Sequence, residues 1–301
     1  MKELALESSY ETLRAVVWDN VQNPKGTIQI AHGLVEYHGR YDDLANFFNK
    51  NGYIVFCNDH LGHGLHVKNG SKKGYFSEED GYENVVNQFA EMNSYIRKNF
   101  PLNKHFLLGH SLGTAISISF LKRGVSYDGV LLSAAFSINP VLSFLQSLLL
   151  WPEYKFSGKT FYSKQMEEVT TKKNNSFFKP NRTTHDYLSR DNQRVDDYVS
   201  DPLCGFENTT QLWMDLKNGI TGLHTKKSLA LIDQETVFSL ITGDEDPINS
   251  KGKQAENIHN ILVDLGIRSE FKTFKGMRHE PFNEIGREAV YKYTLDFFNS
   301  I

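Results

Sequence analysis

The sequence predicts an α/β protein with a mostly parallel central sheet and helices on both of its faces. Two observations carry this prediction: short apolar segments alternate with longer segments of helical periodicity, and the alternation is interrupted once, between residues 139 and 223. A chain of 301 residues is long enough for one such domain with an insertion. We therefore expect a core formed by residues 1–138 and 224–301, with a helical cap, residues 139–223, inserted after the sixth strand.

Strands are expected where apolar residues run together between turn residues, as in Gly26–Ala31. The eight expected strands are Leu4–Ser8, Leu13–Trp18, Gly26–Ala31, Tyr53–Asn58, His105–Leu108, Val130–Ser133, Val237–Thr242 and Ser269–Phe274. Helices are expected where apolar residues recur every three or four positions, as Val85, Phe89 and Met92 do. The expected core helices are Tyr41–Lys50, Tyr82–Asn99, Leu112–Lys122, Lys251–Leu265 and Ile285–Phe298. Helices between consecutive strands favour parallel pairing, because parallel strands need a crossover connection.

The composition excludes several classes of protein. The 33 basic and 36 acidic residues are interspersed, and the formal net charge of −3 provides no basic surface for nucleic acid or for an anionic membrane. Two cysteines, Cys57 and Cys204, do not indicate a disulfide framework. The segment Met1–Tyr10 lacks the features of a secretory signal, and no apolar run reaches the roughly 18 to 20 residues that span a bilayer. We therefore expect a cytoplasmic protein.

A candidate nucleophile lies between the fifth expected strand and the helix that follows it. Residues 109–113 read Gly-His-Ser-Leu-Gly, which matches the G-x-S-x-G pattern of a sharp strand-to-helix turn that exposes a serine hydroxyl. Small residues on both sides are a steric requirement of such a turn. The pattern alone is weak, but its position between an apolar strand and a helix is the one that the mechanism needs. Ser111 is the expected nucleophile.

A serine hydroxyl needs a base to accept its proton, and in this kind of site the acid and then the histidine follow the serine along the chain. Two histidines compete for this role. His259 lies within an expected helix beside its apolar stripe, so we interpret it as a residue on the flank of that helix. His279 lies in a polar loop between the last strand and the last helix, where it can face the edge of the sheet. His279 is the expected general base.

The acid that orients this histidine is expected in the loop after the strand Val237–Thr242, which reads Gly-Asp-Glu-Asp-Pro over residues 243–247. We prefer Asp246, because the proline that follows it makes the turn rigid. Asp244 is the alternative acid, and Glu245 is expected to face solvent.

The oxyanion of a tetrahedral intermediate needs backbone N–H donors. One is expected from the residue after the nucleophile, Leu112, and the other from Leu34, which follows the strand ending at His32 and Gly33. Only the N–H groups matter, so the leucine side chains are no objection. We interpret His32 as a structural residue that braces this loop rather than as a proton carrier.

Four stretches of the sequence carry a resemblance to a known family. They are His32–Tyr41 (HGLVEYHGRY), Asn58–Gly64 (NDHLGHG), Gly109–Gly113 (GHSLG), and Gly243–Pro247 together with His279 and Glu280. With these stretches the chain resembles the monoacylglycerol lipase and lysophospholipase group of α/β-hydrolases, which is related to serine aminopeptidase-like hydrolases. The resemblance implies the α/β-hydrolase fold and a triad of Ser111, Asp246 and His279. It also implies a serine esterase that hydrolyses acyl esters of glycerol or glycerophospholipids, a small lipid substrate, and no cofactor.

The cap departs most from the family pattern, so it leaves the choice of substrate open. Its segment Val141–Trp151 (VLSFLQSLLLW) is apolar but too short to span a bilayer. We expect either a lid that lines an acyl channel or makes transient contact with lipid surfaces, or a cap helix that packs on the core or on a dimer partner.

Other functions on the same scaffold stay open. The enzymatic alternatives are a short-chain carboxylesterase, a thioesterase and a small peptidase, and the alternative from another class is a ligand-binding receptor with a hydrolase fold. His60, His63 and His66 are three residues apart, as in a metal site. Gly62 and Gly64 make a helix improbable there, so we expect a structural loop and no metal.

Overall fold

The protein is described by a computed structural model that covers residues 1–301, except for the side chain of Leu142. An eight-stranded sheet forms its centre, with the strand order β1-β2-β4-β3-β5-β6-β7-β8. The strands are β1 Lys2–Leu6, β2 Leu13–Trp18, β3 Gly26–Ala31, β4 Tyr53–Asn58, β5 His105–His110, β6 Gly129–Ser133, β7 Val237–Gly243 and β8 Ser269–Phe274. The pairs β1·β2 and β2·β4 are antiparallel, and all the other pairs are parallel. The prediction of a mostly parallel α/β fold is therefore confirmed.

Helices cover both faces of this sheet. The core helices are α1 Asp42–Lys50, α2 Gly64–Lys68, α3 Gly81–Asn99, α4 Leu112–Leu121, α11 Lys253–Asp264 and α12 Arg287–Asn299. One hydrophobic cluster joins the sheet to α3, α4 and α11, and a second joins it to α1 and α12. The central strands β3 to β6 are buried along their whole length, as expected for parallel strands enclosed between helices.

The cap lies between β6 and β7. Its helices are α5 Pro140–Pro152, α6 Lys164–Glu167, α7 Lys173–Asn175, α8 Asn192–Ser200 and α9 Thr210–Ile220, with short π-helical turns at Glu153–Ser157 and Glu168–Lys172. The short helix α10 Lys226–Leu229 follows the cap and precedes β7. The cap is a helical insertion after the sixth strand, and the domain limits at 138/139 and 223/224 stay predictions. Among the described residues, none of the helices combines the length and the apolar character needed to cross a membrane.

The differences from the expected elements have local causes. Helix α11 begins at Lys253 rather than at Lys251, because Ser250 and Lys251 both have a φ of 59°, outside the helical region. The prediction that a helix is improbable around Gly62 and Gly64 was wrong, since Gly64 begins the short helix α2. The carboxylate of Asp59 accepts the N–H of Leu65 at 2.7 Å and so satisfies the first turn of this helix.

Candidate active site

Ser111 occupies a strained turn between β5 and α4. Its φ is 50° and its ψ is −117°, a conformation that a residue with a side chain adopts only when its surroundings impose it. Both neighbouring glycines are required by close packing. A Cβ at Gly113 would lie 1.9 Å from the carbonyl oxygen of Ala31, and one at Gly109 would lie 2.7 Å from the carbonyl oxygen of Gly113. The turn therefore exists only with these small residues, and it holds the Ser111 hydroxyl at the edge of the sheet.

The structure brings Ser111, His279 and Asp246 together. The Nε2 atom of His279 lies 3.0 Å from Oγ of Ser111, and its Nδ1 atom lies 2.9 Å from Oδ2 of Asp246. Asp246 is fully buried, and its second carboxylate oxygen accepts the N–H of Ile248 at 2.9 Å. This chain of hydrogen bonds is the arrangement in which a carboxylate fixes the histidine tautomer and the histidine accepts the serine proton.

The other candidates for the acid and the base make different contacts. Oδ1 of Asp244 accepts the N–H of Gly276 at 2.5 Å, so this carboxylate braces the loop that carries the histidine. Glu245 is exposed to solvent. His259 lies on α11 and pairs with Oγ of Ser269 at 2.9 Å. Of the candidates in the two loops, the geometry favours Asp246 and His279.

The charges around His279 adjust its basicity. Burial favours the neutral ring, whereas the Asp246 carboxylate favours the protonated ring through its charge and its hydrogen bond. Glu280 and Glu36 add to this effect, and the pKa of His279 is raised above its ordinary value of 6.5. The ring is therefore well suited to accept a proton during an attack by Ser111.

The two expected oxyanion donors belong to residues in the wall of a cavity beside Ser111. Leu34 and Leu112 both line it, and Leu112 is the first residue of α4. The N–H groups of the residues on either side of Leu34 already form hydrogen bonds, since Gly33 donates to Glu36 and Val35 donates to His63. Among the hydrogen bonds of the described residues, the N–H groups of Leu34 and Leu112 have no acceptor in the protein. Their role as oxyanion donors stays a prediction.

The histidine-rich loops behind this site are held by hydrogen bonds to backbone groups. His32 is buried, with Nδ1 at 2.7 Å from the carbonyl oxygen of Gly33 and Nε2 accepting the N–H of His60 at 2.9 Å. Burial lowers the pKa of His32 well below its ordinary value, so the ring is neutral. No cluster of metal-ligating side chains is found among the described residues.

The sequence motifs did not lead us to predict a buried network of charged side chains that lies next to His279. Arg40 donates to the carboxylate of Glu280 at 2.5 Å, and Glu36 accepts the hydroxyl of Tyr41 at 2.7 Å as well as the N–H of Gly33. Burial and the nearby Glu280 raise the pKa of Glu36 to about 7. Burial alone would raise the pKa of Glu280 as well, but the charge of Arg40 holds it below its ordinary value. All these residues lie in stretches that carry the family resemblance, so the sequence contained the information.

A cavity of about 340 Å³ lies between the core and the cap, with Ser111 and His279 in its wall. Most of its lining is apolar, and the apolar residues from the cap are Leu150, Met166, Val169, Leu188, Phe206, Trp213, Leu216 and Ile220. Polar side chains such as Glu167 and Lys217 occupy parts of the same wall. The core therefore supplies the candidate catalytic side chains, and the cap supplies most of the residues in the cavity wall.

Comparisons with known proteins place the chain in a family of hydrolases. A family model described as serine aminopeptidase, S33, matches residues 22–286. The monoglyceride lipase of Mus musculus is 31% identical over 278 residues, which is 90% of this chain and 79% of that enzyme. The monoglyceride lipase of Rattus norvegicus is 31% identical over 191 residues, 62% of this chain, and the match spans only 54% of the rat enzyme.

The fold has close counterparts among solved structures. The crystal structure of a thermostable carboxyl esterase from Bacillus coagulans, in complex with glycerol, superposes with a TM-score of 0.91 at 22% identity. The superposition covers 100% of this chain and 98% of the esterase. The α/β-hydrolase fold is thereby confirmed, and the relatives support the prediction of a carboxylic ester hydrolase. The chain belongs to the serine aminopeptidase S33 family of hydrolases, and monoglyceride lipases are among its relatives.

Proposed function

We propose that this protein is a serine hydrolase that cleaves the carboxylic ester of monoacylglycerols or lysophospholipids through an acyl-enzyme on Ser111. One observation carries the proposal: the hydrogen-bonded chain Ser111, His279 and Asp246 opens onto a largely apolar cavity beneath the cap. The kinship with monoglyceride lipases supports the same substrate class.

The first half of the reaction forms the acyl-enzyme. Oγ of Ser111 attacks the ester carbonyl carbon while Nε2 of His279 takes the hydroxyl proton. Asp246 remains ionised and stabilises the imidazolium that results. The negative charge that develops on the carbonyl oxygen is bound by the N–H groups of Leu34 and Leu112. When the tetrahedral intermediate collapses, the C–O bond to the alcohol breaks, and the alcohol leaves with the proton from His279.

The second half releases the fatty acid. A water molecule takes the place of the alcohol, gives its proton to Nε2 of His279 and attacks the acyl carbon. The same two N–H groups stabilise the second oxyanion. Ser111 then leaves with the proton returned by His279, which restores the free enzyme and releases the carboxylic acid. Neither half needs a cofactor or a metal.

The substrate class is testable with two series of compounds. In nitrophenyl esters of increasing acyl length, we expect kcat/KM to rise from acetyl to medium or long chains, because the apolar cavity buries the chain. Monoacylglycerol and lysophosphatidylcholine are then compared by the release of free fatty acid. A steady fall in kcat/KM from acetyl onward contradicts the lipase proposal and favours a short-chain carboxylesterase.

The description of the matching family model names an aminopeptidase, so a peptidase is the second candidate. Its test is an aminoacyl nitroanilide assayed beside the nitrophenyl esters and an acyl thioester. We expect the oxygen ester to be cleaved at least about tenfold faster than the amide in kcat/KM. Preferential cleavage of the amide or the thioester would reassign the activity to a peptidase or to a thioesterase. Binding of these compounds without cleavage would indicate a receptor.

We also propose that the cap makes transient contact with lipid surfaces. Helix α5 exposes large apolar side chains to solvent, with Phe144 63% and Leu148 57% exposed, and Trp151 lies at its C-terminal end. Such a contact would place the cavity beside its insoluble substrate. The predicted cytoplasmic location is likewise a proposal, supported by the free thiols of Cys57 and Cys204.

A further inference from the structure

The residue after the oxyanion donor Leu34 has an unusual backbone conformation. Val35 has a φ of 54°, in the left-handed region. Branching at Cβ makes this conformation unfavourable for valine, so neighbouring groups must hold it there. Val35 therefore marks a point at which the oxyanion loop is under strain.

His63 holds the N–H side of Val35. Its Nδ1 atom lies 2.9 Å from the carbonyl oxygen of Leu61, which can only accept, so Nδ1 carries the proton. Nε2 is therefore an acceptor, and it receives the N–H of Val35 at 3.1 Å. Burial lowers the pKa of His63 to about 4, which keeps the ring neutral and able to accept at neutral pH.

The cap holds the carbonyl side of the same residue. The carbonyl oxygen of Val35 accepts the hydroxyl of Tyr198 at 3.1 Å and the N–H of Gly205 at 2.9 Å. Tyr198 lies on α8 and is almost fully buried. The ring of Phe206 also packs against His63, with 5.3 Å between the ring centroids. The core and the cap thus hold Val35 from opposite sides.

The peptide between Gly33 and Leu34 is held by a hydrogen bond as well. The carbonyl oxygen of Gly33 accepts Nδ1–H of His32, at 2.7 Å. This carbonyl and the N–H of Leu34 belong to one planar peptide and point in opposite directions. With the carbonyl turned toward His32, the N–H of Leu34 points away from His32.

We propose that His63 and Tyr198 are positioning residues, which hold Val35 in its strained conformation so that the N–H of Leu34 faces the oxyanion. The inference rests on the proposed function. It gives the cap a part in catalysis, because loss of its contacts to Val35 leaves the loop with the donor held from the core side alone, by bonds such as those to His32 and His63. Neither side chain transfers a proton or contacts the reacting atoms in this account.

The test compares Tyr198→Phe, His63→Leu and His63→Gln with the wild type, using a soluble nitrophenyl ester. We expect Tyr198→Phe to lower kcat about tenfold and His63→Leu to lower it ten- to a hundredfold, with KM changed less than threefold. These losses are smaller than those for complete removal of an oxyanion donor. His63→Gln keeps an acceptor near the position of Nε2 and should recover much of the loss. The matched control is Tyr162→Phe, which removes another hydroxyl that reaches from the cap to a core carbonyl, that of Lys73 at 3.2 Å.

Two further readouts separate positioning from a general loss of structure. An alkyl trifluoromethyl ketone forms a tetrahedral oxyanion on the serine, so its inhibition constant should rise by about the same factor as kcat/KM falls. The second readout is Val35→Gly, since glycine adopts a positive φ without strain. In the Val35→Gly background, Tyr198→Phe should lower kcat less than threefold.

The outcomes distinguish this inference from the proposed function. If the wild type neither cleaves esters nor reacts with the ketone, the proposed function fails. If the wild type is active and folded Tyr198→Phe and His63→Leu variants keep their kcat, the positioning roles are wrong. An undiminished effect of Tyr198→Phe in the Val35→Gly background contradicts them as well, and this arm does not depend on the folding of His63→Leu.

Discussion

The core and the cap contribute to the site in different ways. In the core, Ser111, Asp246 and His279 each lie in a turn or loop directly after a strand, and all three are held by hydrogen bonds. In the cap, the residues that line the cavity come from several short helices, while Phe144 and Leu148 of α5 face solvent. Under the proposed function, the chemistry depends on precise local turns, whereas substrate selectivity and the proposed contact with lipid depend on the cap.

The largest effect is expected in the core, from Ser111→Ala. Loss of the nucleophile should lower kcat for a soluble nitrophenyl ester by about 10⁶-fold, because the residues of a triad act as one unit. Steady-state assays with purified variants measure this effect. Ser119→Ala serves as the control and should keep its activity, since Ser119 lies on the following helix α4 and pairs with the hydroxyl of Tyr82. Substantial residual turnover in Ser111→Ala would assign the reaction to another nucleophile.

The second prediction separates the two aspartates of one loop. Asp246→Asn should lower kcat about 10⁴-fold, because an amide no longer fixes the tautomer of His279 or balances its charge. Asp244→Asn should lower kcat less than about tenfold, because that carboxylate only braces Gly276. The ratio of the two kcat values is the measurement. Equal losses, or a larger loss for Asp244→Asn, contradict the assignment of the acid.

The third prediction concerns the cap and a smaller effect. The double variant Phe144→Ser and Leu148→Ser should lower the rate on monoacylglycerol in vesicles about tenfold, since it removes apolar area that would enter the lipid surface. Its rate on a soluble ester should stay within twofold. Val263→Ser provides the control, because Val263 is an exposed residue of the core helix α11 with 50% exposure. If both substrates respond equally, α5 acts on the cavity rather than on lipid contact.

The smallest expected effect is a shift in the pH at which kcat/KM falls on the acid side of its pH profile. His279 must be neutral to accept the Ser111 proton, so kcat/KM should fall as the pH drops through the pKa of this ring. Because that pKa is raised, the midpoint should lie above 6.5. Profiles of kcat/KM between pH 5 and 9 measure it, with a soluble ester and constant ionic strength. A midpoint clearly below 6.5 contradicts the claim that the surrounding carboxylates together raise the pKa of His279 despite its burial.

The core was predictable from the sequence because its determinants are local. The limits of β2, β3, β4 and β8 agree with the expected strands, since apolar runs and turn residues mark their ends. Strand β1 was placed two residues too late, because its register is fixed by pairing of Leu6 with Leu13 rather than by its own composition. Helix α2 was missed because Asp59, five residues before its first residue, caps it through its side chain.

The candidate site was predictable in its elements but not in its supports. Each triad residue follows a strand in a recognisable motif. The hydrogen bonds that hold Val35 come from residues far apart in the sequence, such as His63 and Tyr198, and no spacing rule identifies such contacts. The same holds for the cavity wall, where cap residues lie beside core residues that are distant from them in the sequence.

The most direct test of the central claim is covalent labelling with a fluorophosphonate, followed by mass spectrometry of the intact protein and of its peptides. A serine activated by His279 should form one stoichiometric adduct on Ser111, and Ser111→Ala should form none. No adduct on the folded wild type, or an adduct on a residue other than Ser111, would contradict the account.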